Sequence, residues 1–182
     1  LAQFEDPDTK IPFLAGSNML AYCVAATGCQ HFGLLMGERA SSSSLGLAGF
    51  ILRFAPDVDT ALQALLRHLE LHDTGGVPVL TTSGEVSSLG YAISLPGVAA
   101  ADLIYDLSTA MVCNIMRDLC GQNWNPTQVL LARQLPSELA PYKRFFRAPL
   151  RFDAEQNAVE FPTQLLDLPL TTADPALFRH LE

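Results

Sequence analysis

Apolar positions divide the chain into a helical first part, a stretch of two-residue alternation and a mixed remainder. The opening, LAQFEDPDTKIPF, carries Pro7 and Pro12 and reads as an arm that packs through Phe4, Ile11 and Phe13. Ser17 or Asn18 is placed to cap MLAYCVAAT, whose apolar residues suit a buried helix closed by Gly28. HFGLLMGERA follows, with Phe32, Leu35 and Met36 at helical spacing. The serines at 41–44 form a loop whose last members can cap LGLAGFILRFA. Pro56 ends that segment, because the residue before a proline is pushed out of the helical region. Asp57 or Asp59 then starts DVDTALQALLRHLELH, where Ala61, Leu62, Leu65, Leu66 and Leu69 form one wide apolar stripe.

After Gly75-Gly76 the period shortens to two. VPVLTT, a turn around Ser83-Gly84-Glu85 and VSSLGYAISL predict an antiparallel hairpin in which Leu89, Tyr91 and Ile93 share a face. From Ala99 to Leu119 the helical spacing returns, and Gly121 stops it. TQVLLAR predicts a strand and SELAPYKRFF a short helix; PLRFDA and AVEFP predict two strands around a turn at Glu155-Gln156-Asn157. Thr163 is placed to cap QLLDL before Pro169. With no internal repeat and no long linker, the expectation is one α+β domain: a helical first third, an antiparallel hairpin, a long central helix and further short strands. Residues 1–16 are assigned to the arm and 17–180 to the domain itself. Residues 181–182 read as a possible cloning remnant, and Leu1 in place of Met suits a fragment of a longer protein.

Composition narrows the function classes. A chain of 182 residues, 49% of them hydrophobic, is no disordered tail, and folding at this size buries roughly 70% of the unfolded surface. Eleven Lys and Arg against nineteen Asp and Glu give a net charge of -8, which lacks the basic footprint a duplex-binding module needs. Four cysteines are too few for a disulfide scaffold and suggest buried thiols in a reducing compartment. No apolar run is long enough to span a bilayer, so the expectation is a cytoplasmic protein without membrane contact.

Candidate chemistry is sparse. Cys23, Cys29 and His31 match no zinc spacing, and His68 or His72 completes four ligands only by assumption, so no metal is assigned. There is no G-x-S-x-G elbow and no Walker or dinucleotide glycine pattern; Cys113 or Cys120 with His68 and an Asp makes a triad only on paper. No catalytic residue and no cofactor are therefore assigned. Asp102, Asp106 and Asp118 read as solvating the outer face of the long helix. One segment opposes the global charge: Arg133, Lys143, Arg144, Arg147 and Arg151 stand against Glu138 alone. It reads either as a solvated face or as a groove for a carboxylate-bearing ligand or partner domain, with Arg133 favoured because it adjoins a predicted strand. Tyr91, Trp124, Arg133 and Tyr142 are the ligand-binding candidates, since each joins apolar surface to a polar handle. The long helix, through Leu103, Leu107, Met111 and Asn114, is the candidate dimer interface.

The order of segments carries a resemblance. HFGLLMG at 31–37, LG at 45–46, AP at 55–56 and ALQALLRHL precede GQNWNP at 121–126, YKRFF at 142–146, APLRFDAEQNAVEF at 148–161 and LLDLPLTTADPAL at 165–177. Together they resemble the amino-terminal sensor domain, of the arabinose-binding type, of AraC-family transcriptional regulators. The resemblance implies a one-component bacterial regulator. Its amino-terminal domain takes a small effector and supports a homodimer, while a separate carboxy-terminal domain with two helix-turn-helix units binds promoter DNA. It does not imply a sugar ligand, and the chain lacks an obvious sugar platform. Two other readings stay open: a dimerisation or interdomain-contact module with no working pocket, and an enzyme of Cys or His chemistry. The acid surplus then suits a sensor half whose DNA contacts are made by another domain.

Overall fold

The computed structural model describes residues 10–182. Its first part holds four α-helices: α1 (Phe13–Thr27), α2 (Phe32–Arg39), α3 (Leu47–Leu52) and α4 (Val58–His68). α1 begins ahead of the predicted caps, with Pro12 at its N-cap position, so residues 13–16 form its first turn. Ser17 lies buried inside the helix instead, and its Oγ accepts a hydrogen bond from the Ala100 N–H at 3.2 Å. Phe4 falls outside the described residues. Gly28 ends α1 in the left-handed region, φ 70°, which glycine enters without a Cβ penalty.

The long helix α5 (Ala101–Cys120) corresponds to the predicted central helix and ends at Gly121. α2 is seated on it, but by a face the spacing of large residues did not indicate. Gly33, Leu34 and Gly37 are buried, whereas Met36 is exposed. A Cβ on Gly33 would stand 2.1 Å from the Leu103 carbonyl oxygen, and one on Gly37 2.5 Å from that of Leu107. Glycine lets the two backbones touch. α4 starts where Asp57 predicts, its Oδ1 accepting from the Thr60 N–H at 2.8 Å. Ala61, Leu62 and Leu65 point into the core.

The hairpin is β1 (Gly76–Ser83) and β2 (Val86–Ile93), antiparallel, with Leu80 opposite Leu89. β3 (Gln128–Leu130), α6 (Ala140–Phe146), β4 (Leu150–Arg151), β5 (Ala158–Pro162) and α7 (Pro175–Leu181) complete the chain. The sheet order is β1-β2-β5-β3-β4. The strands flanking the turn at 155–157 are thus not partners: β3 lies between them, parallel to β4 and antiparallel to β5. Both segments have strand-like patterns, and only the long-range pairing separates them. Thr163 caps nothing; its Oγ1 donates to the Gly84 carbonyl at 3.0 Å and ties the hairpin turn to the strand beside it.

α5 packs along β2 and β5, α4 packs against β1, and α3 packs on α4. Leu52, Leu62, Leu89, Ile115, Met116 and Phe161 are among the fully buried residues between these layers. At the carboxy-terminal end, the Glu182 carboxylate meets Arg67 and, at 3.3 Å, His68 Nε2, both on α4. Among the described residues no single helix is long and apolar enough to cross a membrane.

Candidate functional site

The sequence places α1, α4, the loop before β1, β2 and α5 far apart, and the fold gathers them around a cavity of about 320 Å³. Its walls are largely apolar: Phe13, Met19 and Leu20 from α1, Leu65 and Leu69 from the α4 region, Ile104, Met111 and Ile115 from α5. α1 is an incomplete cover. Only Ser17 and Leu20 of its fifteen residues are buried, so most of this apolar helix lies at the surface above the hollow. The volume sits at the lower end of the roughly 300–1,000 Å³ of small-molecule sites, which are likewise mostly apolar with few polar groups.

The polar groups gather at one corner. Asp73 follows the end of the α4 region, and its Oδ1 accepts from the Gly75 N–H at 2.7 Å. Its Oδ2 accepts from the hydroxyl of Tyr91, and His72 lies beside it in the wall. Burial and then the neighbouring carboxylate push the Tyr91 hydroxyl far above the ordinary tyrosine range, which keeps it a proton-bearing donor. The corner depends on two glycines. A Cβ at Gly75 would lie 1.9 Å from the Phe13 ring, and one at Gly76 2.4 Å from the Tyr91 ring. Both rings close down on bare backbone.

The other three ligand candidates lie elsewhere. Arg133 follows β3 and points its Nη1 at Asp106 of α5, while donating to the Tyr142 hydroxyl oxygen at 2.7 Å. Tyr142, on α6, donates to the same carboxylate oxygen at 2.6 Å. Asp106 and Tyr142 are fully buried. Asp106 therefore does not solvate the outer face of α5: it turns inward because a guanidinium and a phenol meet it there. Burial raises its carboxyl, Arg133 and Tyr142 lower it, and burial prevails, leaving it pushed up to about 6. Arg133 and Tyr142 are thus joined to each other but not to the cavity that Tyr91 lines. Trp124 is half-buried after α5, where its carbonyl accepts from Arg117 Nε at 3.4 Å. Arg117 also donates to the Phe145 carbonyl at 2.8 Å and pins α5 to α6.

The α5 stripe proposed for a dimer faces α2 and the cavity. Leu103 and Leu107 lie against the glycines of α2, and Leu107 and Met111 line the cavity. Asn114 Nδ2 donates to the Gly37 and Ala40 carbonyls at 3.1 and 2.7 Å, closing the end of α2. All four remain half-buried, with an uncovered edge. Asp118 also has a structural partner: its Oδ2 accepts from the backbone and side chain of Ser42 at 3.1 and 2.8 Å.

Asp73 escaped sequence reasoning, since one acid between a helix and a glycine pair reads as turn chemistry. Its signal was the pairing of Gly75-Gly76 with an aromatic on the facing strand. Among the described residues no group of three His, Cys, Asp or Glu is placed to hold a metal ion. The four cysteines are unpaired, and burial pushes Cys113 and Cys120 up to about 11, which leaves little thiolate.

The chain matches known proteins by family model, by sequence and by fold. A family model described as the arabinose-binding domain of AraC transcription regulators, N-terminal, matches residues 1–170. The ornithine utilization regulator of Pseudomonas aeruginosa is 21% identical over 178 residues, 98% of this chain and 52% of that protein. The crystal structure of the transcriptional regulator CdpR from Pseudomonas aeruginosa has the same fold, with a TM-score of 0.72 at 20% identity over 94% of this chain and 56% of that one. The chain spans about half the length of these relatives.

Proposed function

The chain belongs to the family of arabinose-binding amino-terminal domains of AraC transcription regulators, and we propose that its effector binds in the cavity beneath α1. It is a ligand-sensing regulatory domain of a bacterial transcription regulator rather than an enzyme. The observation that carries the proposal is the cavity itself: apolar walls drawn from helix, loop and strand, with one polar corner built from Asp73 and Tyr91.

The effector works by linkage. A molecule that fits the cavity better in one arrangement of the protein shifts the population toward it by no more than its differential affinity. α4 reaches the cavity through Leu65, and the turn that follows it through Leu69, so a bound molecule bears directly on this helix. The proposed output partners are a carboxy-terminal DNA-binding domain of the same protein, which contacts promoter DNA, and a second copy of the chain, all in the cytoplasm. In that homodimer the uncovered edge of the α5 stripe takes part. Ornithine, which enters the name of one relative, matches this cavity poorly, because aliphatic walls would strip water from its several charges without replacing it.

Titration calorimetry of the protein with an effector panel, beside a Met36→Trp variant, tests the site. Met36 is an exposed residue on the cavity wall, so the indole can enter the hollow with little disturbance of the core. Binding should be lost in the variant while its melting temperature stays near that of the parent. Equal affinity in both proteins would place the effector elsewhere.

A further inference from the structure

Resting on the cavity reading above, we infer that the effector is an apolar molecule with a single cationic amine head, and that Asp73 receives the head. Asp73 brings a full negative charge to the lining, and no Lys or Arg stands among the described residues that form it. The carboxylate is already oriented, by the Gly75 N–H on one oxygen and the Tyr91 hydroxyl on the other. A carboxylate offers about four lone-pair sites, so acceptor capacity is left for a third donor. The serine hydroxyls of the wall have partners within the protein: Ser17 Oγ accepts from Ala100 N–H, and Ser108 Oγ donates to the Tyr105 carbonyl. With the Ser108 O–H already given to Tyr105, the one remaining serine donor is too little to hold an anion without a Lys or Arg beside it. The remaining surface is aliphatic and methionine-rich, which suits a hydrocarbon body.

The buried pair elsewhere in the domain shows what the corner lacks. Tyr142 and Asp106 repeat the tyrosine-to-carboxylate bond, and there the chain supplies its own cation, Arg133. At Tyr91 and Asp73 the described wall residues supply no Lys or Arg, and both side chains belong to residues that line the cavity. A carboxylate-headed effector would instead set like charge against Asp73, and the guanidinium that suggested an acidic effector, Arg133, is engaged by Asp106.

The test uses matched probes on protein labelled with ¹³C at its methionine methyls, at pH 8, where free imidazole is uncharged. Hexylamine, hexanol and hexanoate share one hydrocarbon body and differ in the head. Met19, Met36 and Met111 line the cavity and report occupancy, while Met116, buried outside it, is the internal control. Shifts should be confined to the three lining methyls, with hexylamine binding about tenfold or more tighter than hexanoate, the worth of a charged hydrogen bond. In Asp73→Asn, whose Oδ1 can keep the Gly75 bond while its Nδ2 donates to the Tyr91 hydroxyl oxygen, the amine advantage should fall toward one. Hexanoate binding as tightly as hexylamine, or an amine advantage unchanged in Asp73→Asn, would overturn this inference and leave the cavity reading standing. Silence of the lining methyls with all three probes would overturn both.

Discussion

Two tyrosine–aspartate pairs in this domain differ by one guanidinium, and the difference separates a structural joint from the proposed binding corner. Asp106 and Tyr142 sit in the interior, on α5 and α6, and Arg133 closes the charge. Asp73 and Tyr91 sit at the rim of a cavity, where Asp73 is only half-buried and no side-chain cation among the described wall residues answers it. The first site holds its own counter-charge, with only Asp106 Oδ1 and Arg133 Nε left unpaired, so removing any member strands a further polar group in low dielectric. The second is open, so its members can find water or a ligand instead.

Arg133→Ala should have the largest effect on stability. It leaves a buried carboxylate uncompensated, and urea unfolding at pH 7 should show a loss of about 3–5 kcal/mol. A loss below about 1 kcal/mol would mean that Arg133 is not the partner that keeps Asp106 inside. The pH dependence of stability comes next. The Asp106 carboxyl titrates at about 6 in the folded chain against an ordinary value of 3.8. The folded state therefore binds more protons than the unfolded one between about pH 4 and 6, and stability from this group falls as pH rises through that window. The drop is about 3 kcal/mol, and Asp106→Asn should lack it in a series of urea melts from pH 4 to 7. A slope retained in the variant would assign it to other groups.

The tyrosines sharpen the contrast. Tyr142→Phe should cost about 2–3 kcal/mol, because Asp106 loses a donor with no water to replace it. Tyr91→Phe, with Asp73 near solvent, should cost about 1 kcal/mol in urea unfolding at pH 7. Equal losses would erase the distinction between the two sites. Smallest of all, Asp73→Asn should move unfolding stability by less than about 1 kcal/mol, since Oδ1 can keep the Gly75 bond and Nδ2 can donate to the Tyr91 hydroxyl oxygen. A loss comparable to that of Arg133→Ala would make Asp73 a structural residue.

Local patterns made much of the fold legible. The α4 stripe with its Asp57 cap, the hairpin around Gly84 and the α5 stop at Gly121 all follow from residues within a few positions of one another. Where the reading failed, a distant residue had intervened. α2 turns two glycines inward because α5 is there to meet them. β3 slips between two strands that look adjacent in the chain, a pairing no local spacing records. Of the candidate site, Tyr91 was visible as an amphipathic residue on a predicted strand, but its partner Asp73 was not. Arg133 and Tyr142 were visible for the same reason as Tyr91, an apolar body with a polar tip. Such side chains serve a buried joint as readily as a ligand, and the sequence has no means to say which.

The sequence by itself determined the class of the domain, its element order and its acidic balance, since periodicity, turn residues and charge are properties of short stretches and sums. Its family, too, was carried by segment order. Tertiary structure decided which aspartate received a cation and which was left facing a cavity. Asp106 and Asp73 are the same side chain, each beside a tyrosine hydroxyl. Burial and the nearest charge set their roles: Asp106 meets Arg133 and Tyr142, 27 and 36 positions away, and Asp73 meets cavity walls drawn from between Ile11 and Ile115.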